Sequence, residues 1–187
     1  MTVKEGINLI EDCENYDYIL VGVNINHSMR NGFAEDVKEK YPYVYEENLK
    51  SPYGDIRKIG SYIECGQENE QKILLLFITK GYPKKKNKED NIDYLDYESL
   101  RKCLRLINIR YKGKTLACPL LGCSRFDGNG NKDRVLQMIE EELNNVDITV
   151  YNFYEQSRDE KRLDRYHKNK DKSNKKKINN ESSIKIE

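Results

Sequence analysis

The chain has only two histidines, His27 and His167, and its five cysteines form no CxxC pair. No zinc spacing is therefore present, and neither a metal nor a cofactor is expected. No apolar run approaches the roughly 18 residues of a membrane span, and no charged-then-apolar signal opens the chain. Cysteines odd in number, several inside apolar runs, read as buried thiols in a reducing compartment. The expectation is a soluble cytoplasmic protein with no membrane partner. Hydrophobic residues are scarce at 37%, against 35% charged.

That imbalance is local. From Ser157 onward there are eleven Lys/Arg against six Asp/Glu, a net of +5, while the preceding body nets −4. Residues 157–187 carry too few apolar groups to offset chain entropy, so a disordered basic tail is expected after a body spanning 1–156. Lys175, Lys176 and Lys177 would give the tail a weak, salt-sensitive attraction to nucleic acid at most. Richness in Lys, Asn, Ile and Tyr points to an AT-rich genome, such as that of a virus.

The body alternates strands with helices. Continuous apolar runs at 18–23, 73–79, 116–121 and 148–153 fit strands buried on both faces. Residues 56–63, broken by Gly60, predict an edge strand or hairpin, and residues 1–10 a short strand. Phe33, Val37 and Tyr41 lie four apart on a helix over 35–40 that Pro42 is expected to stop. Leu100, Cys103, Leu104 and Ile107 follow helical spacing, as do Val135, Met138, Ile139 and Leu143. Residues 83–96, with three lysines followed by acids, read as a mobile surface loop. The pattern predicts an α/β sandwich with a mixed sheet.

Two segments carry the chemistry. The first strand opens into Asn24-Ile25-Asn26-His27-Ser28-Met29-Arg30-Asn31-Gly32-Phe33-Ala34 and then a helix. A polar, glycine-bearing loop running into a helix N-terminus aims several N–H groups one way and suits a phosphate. A second such loop, Gly122-Cys123-Ser124-Arg125-Phe126-Asp127-Gly128-Asn129-Gly130-Asn131, follows the run at 116–121. Two of them in one small α/β domain point to a nucleotide-like ligand at the strand ends.

These residues resemble a macrodomain. The stretch Asn24 to Ala34, then Lys38-Glu39-Lys40-Tyr41-Pro42, Gly54-Asp55-Ile56, Ile78-Thr79-Lys80 and Pro119-Leu120-Leu121-Gly122-Cys123 are most similar to one branch. That branch holds the terminal ADP-ribose glycohydrolases and related phage and toxin–antitoxin macrodomains. The likeness spans about 3–153. It implies a three-layer α/β/α fold, a monomer, and ADP-ribose held between the loops. In that picture Asn24, Asn26, Met29, Arg30, Asn31, Gly32, Phe33 and Ala34 line one side. Thr79, Leu121, Gly122, Cys123, Ser124, Arg125, Phe126 and Gly128 line the other, and Asn8 and Leu9 lie toward the adenine. Lys80 matches a lysine that attacks the anomeric carbon of the ribose, and Asp127 an aspartate that helps release free ADP-ribose. Such a lysine reacts as the free amine, and the carboxylate shuttles the proton.

The chain departs from that pattern in three places. Arg30 stands where the family has a glycine in Gly-x-Gly-Ile-Ala, Asn8 stands in for an adenine-contacting aspartate, and Asp127 comes one residue late. Three functions therefore stay open. The first is a hydrolase acting on an ADP-ribosylated protein or nucleic acid, the second a binding module without turnover, and the third a phosphatase acting on ADP-ribose 1″-phosphate. Each singled-out residue also has a plainer role: Lys80 as a solvated lysine, Asp127 as a turn former, Cys123 as a packed thiol, His27 as a surface hydrogen-bonder, and Asn24 as a cap for its own loop.

Overall fold

Six strands form the sheet, β1 (Thr2–Glu5), β2 (Tyr18–Asn24), β3 (Tyr62–Cys65), β4 (Lys72–Thr79), β5 (Thr115–Pro119) and β6 (Asp147–Asn152), in the order β1-β6-β5-β2-β4-β3. All neighbours are parallel except β3, which runs antiparallel to β4 at the edge. The computed structural model describes residues 1–80, 94–124 and 128–152, all within one unit, Met1–Tyr154. The tail beyond 156 lies outside the described residues.

Side-chain alternation along the central strands builds two cores. Ile19, Val21 and Val23 of β2 face one side with Ile73, Leu75 and Phe77 of β4, under α1 (Leu9–Asp12), α2 (Gly32–Lys40) and α3 (Pro42–Lys50). Leu20, Leu74, Leu76 and Ile78 face the other, under α4 (Tyr97–Arg110) and α5 (Lys132–Glu142). Helices cover both faces, which is why the strands read as unbroken apolar runs. The expected three-layer α/β/α sandwich with a mixed sheet is present. All five cysteines are buried, and none forms a disulfide.

The structure refines several local expectations. The helix over 32–40 ends just before Pro42, as expected, but Pro42 also opens a further helix. It occupies the first turn of α3, where its missing N–H would have had no intrahelical acceptor anyway. Residues 56–63 are not one strand. Ile56–Lys58 is a 3-10 turn opened by Asp55, whose side chain accepts the Arg57 N–H, and the edge strand starts only at Tyr62. Of residues 1–10, β1 takes Thr2–Glu5, and Asn8 then caps α1. Within the loop predicted at 83–96, residues 81–93 lie outside the described set, whereas Leu95 bridges Thr79 and Asp96 caps α4.

The topology places a site. The neighbours β2 and β5 are parallel, yet the chain leaves β2 for α2 on one face and β5 for α5 on the other. Crossovers to opposite faces open a crevice beyond the carboxyl ends of those two strands. Both candidate loops border that crevice.

Candidate functional site

The first loop leaves β2 at Asn24. Its side-chain oxygen accepts the N–H of Asn26 at 2.9 Å and of Ser28 at 3.2 Å, and its amide donates to the Ser28 carbonyl at 3.1 Å. Asn24 thus shapes its own loop. Asn26 Nδ2 donates to the backbone carbonyl of Lys80 at 3.1 Å and joins this loop to the end of β4. Met29, Phe33 and Ala34 are buried in the core below α2, so they can offer a ligand only backbone. Ser28 and Arg30 are exposed, while Asn31 and Gly32 are half-buried at the start of α2. No acidic residue occurs between Asn24 and Ala34. The positive end of the α2 dipole adds to that bias.

The second loop folds back on itself. Gly122 has φ +68°, and a Cβ there would stand 2.7 Å from Leu95 Cδ1. A Cβ at Gly128 would overlap the Gly122 carbonyl oxygen, so both positions require glycine. The Gly130 N–H donates to the Gly122 carbonyl at 3.0 Å and the Asn129 N–H to that of Ser124 at 2.9 Å. Gly128 in turn accepts from Tyr94 and Leu95 at 2.7 and 3.0 Å. Leu121 and Cys123 are buried, and Ser124 is half-buried. Arg125, Phe126 and Asp127 lie outside the described residues.

The loops close on each other. A Cβ at Gly32 would lie 3.8 Å from Ser124 Oγ, and one at Gly22 would lie 3.6 Å from the Gly122 nitrogen. Lys80 stands exposed at the rim, whereas Thr79 just before it is buried. Lys80 lines a cavity of about 480 Å³ with Tyr94, Asp96, Tyr97 and Arg134. There the Arg134 guanidinium sits 3.7 Å over the Tyr97 ring.

By sequence the chain matches no family model and no curated protein. By structure it superposes on the macrodomain of Thermus aquaticus DarG with TM-score 0.57 at 20% identity, covering 81% of this chain and 98% of that one. The Mycobacterium tuberculosis DarG macrodomain gives 0.56 at 18%, covering 80% and 97%. Thermosipho africanus DarTG, solved in complex with ADP-ribose, gives 0.60 at 18%, with 81% of this chain matched to 41% of that longer one. The chain has the macrodomain fold.

The sequence-derived residues fall into two groups. Asn26 joins the first loop to the backbone of Lys80, and Gly32 meets Ser124 across the crevice, with Gly122 close to Gly22. Asn8 and Leu9 are spent on structure: the Asn8 side chain accepts the Ile10 N–H at 3.1 Å, and Leu9 is fully buried in the core. His27 is not at the surface. It is 8% exposed, with φ +54°, and its Nε2 lies 3.1 Å from Ser51 Oγ. Burial, then the nearby charge of Lys58, lowers the His27 pKa below 6.5.

Lys58 itself escaped the sequence reading. One lysine in a chain this rich in them carries no signal, and its burial depends on the turn at Ile56–Lys58 that the pattern did not show. Among the described residues no group of three or more His, Cys, Asp or Glu is placed to hold a metal ion. No described helix is long and apolar enough to cross a membrane.

Proposed function

We propose that this macrodomain binds ADP-ribose between its two loops and releases it from ADP-ribosylated macromolecules. The observation that carries the reading is the meeting of Gly32 and Ser124 across the crevice, where the first loop runs into the N-terminus of α2. A diphosphate there would rest on backbone donors and the α2 dipole. The solved relative that holds ADP-ribose has the same fold.

For release, the resemblance assigns the attack to Lys80. Its free amine would form a bond to the anomeric carbon as the bond to the acceptor breaks, the acceptor leaving with the electron pair and a proton. Water would then cleave the adduct, freeing ADP-ribose and restoring the amine. Asp127 is assigned the proton traffic. The exposed position of Lys80 beside a cavity gives an acceptor room to approach.

A second reading, sequestration without turnover, is favoured by Arg30. It puts a bulky, exposed cation where the resembled pattern has a glycine against the ligand. One assay separates the two readings. The parent should release ADP-ribose from modified protein or nucleic acid and form a borohydride-trappable adduct. Lys80→Ala should lose both and keep ADP-ribose affinity within a few fold. Binding without release by the parent would leave the sequestering module standing.

A further inference from the structure

Beneath the first loop lies a cation that the proposed chemistry does not use. Lys58 ends the turn Ile56–Lys58, and its side chain is buried, with 8% exposed. Its ammonium donates to Ser51 Oγ at 3.0 Å, lies 3.3 Å from His27 Nε2, and sits 4.6 Å over the Phe77 ring. Among the described residues it forms no ion pair. Asp55, three positions earlier, is held by Arg57 at 2.6 Å. Withdrawing an ammonium from water without a carboxylate beside it is costly, and here it is met by a hydroxyl, an imidazole and an aromatic face.

An ammonium has donors and no lone pair, so the imidazole nitrogen facing it must accept. With Nε2 accepting, the His27 proton sits on Nδ1, and the Ser51 hydroxyl beside it donates to the Asn48 carbonyl at 2.7 Å. His27 also sits in the left-handed backbone region, which a side-chain-bearing residue occupies only when its surroundings hold it there. It lies at the middle of the loop, one residue beyond the Asn26 that reaches Lys80.

We propose that Lys58 is a positioning residue for the anion site: through His27 it holds the first loop in its binding shape and adds a fixed positive charge beneath it. This rests on the ADP-ribose reading above. The other charged groups on the elements around the loop are Asp55 with Arg57, the Lys50–Glu47 pair and Glu46 of α3, Glu35, the buried Asp36, Lys38, Glu39 and Lys40 of α2, Arg30 of the loop, and Lys80 after β4. Tyr53 meets the His27 ring edge-on. Acidification puts a proton on Nε2, which then faces the ammonium as a like charge and loses its role as acceptor. Because the His27 pKa is lowered, the loop keeps its shape through neutral pH and loses it only below the ordinary imidazole range.

The test joins imidazole NMR with calorimetry of ADP-ribose binding on the full chain from pH 5 to 8. In the parent, His27 should show the Nδ1–H tautomer, titrate below the ordinary range, and set an acid fall in affinity with the same midpoint. Lys58→Met should weaken binding roughly tenfold at neutral pH, raise the His27 pKa, and flatten the acid limb. Lys58→Arg, which keeps the charge, should keep the limb. Should Lys58→Met fail to fold, His27→Gln serves instead, and it too should lose the limb. An Nε2–H tautomer, or an acid limb unchanged in Lys58→Met or His27→Gln, overturns the assignment alone. No binding by the parent at any pH overturns it together with the ADP-ribose reading.

Discussion

The side chain of Asn26 donates to the backbone carbonyl of Lys80 across 3.1 Å, so the first loop and the end of β4 are fastened to each other beside the crevice. A loop fixed at that point does not need to be ordered by the ligand, which reduces the entropic cost of binding.

Asn26→Leu should therefore weaken ADP-ribose binding by roughly tenfold, about the worth of one hydrogen bond plus some loop ordering. Calorimetry on the variant checks this, with thermal unfolding alongside. The melting temperature should barely move, because Asn26 lies at the loop surface rather than in either core.

Gly122→Glu should abolish binding. Its φ of +68° disfavours any side chain, the Cβ would press on Leu95, and a carboxylate would face the diphosphate. A folded variant that binds ADP-ribose as tightly as the parent would show that the second loop is not the phosphate site.

A network far from the crevice should govern acid stability. The Asp12 carboxylate accepts from the Tyr151 hydroxyl and from Lys4 at 2.9 Å, and these two bonds, in that order, hold its pKa below 3.8. A lowered carboxyl pKa stabilises the fold above the unfolded value, and that contribution disappears as pH falls through the folded value. Asp12→Asn should cost on the order of 1 kcal/mol at pH 7, a figure kept small by the partial exposure of the pair. Denaturant melts repeated from pH 7 down to about pH 3 should show the difference shrinking toward zero.

The α4 cap offers a local stability test. The Asp96 side chain accepts the Ser99 N–H at 3.0 Å. Asp96→Ala should lower stability by about 1 kcal/mol, read from the same melts, and should leave ADP-ribose affinity unchanged if the cavity it lines serves the acceptor rather than the nucleotide.

The parts of the fold that were legible in the sequence are those where burial is two-sided. The runs that became β2 and β4 sit between two helical layers and carry apolar groups on both faces, so hydrophobicity alone marks them. Misreadings occurred where a single residue changes meaning with context. Pro42 was legible as the stop of α2, but that it also opens α3 depends on the packing of α3 against α2. The two loops were visible because glycines and a following helix leave a local signature. The roles of Asn8 and Lys58 were not visible. An asparagine that caps a helix and a lysine folded under a loop look like any other polar residue until the chain has closed around them.

The most direct test of the account is calorimetric titration of the full chain with ADP-ribose, run beside a truncation ending at Gln156. Saturable one-to-one binding is expected in both, with affinities equal within error, because both loops lie before residue 132. Absence of saturable heat with the full chain at millimolar ADP-ribose would contradict the central claim.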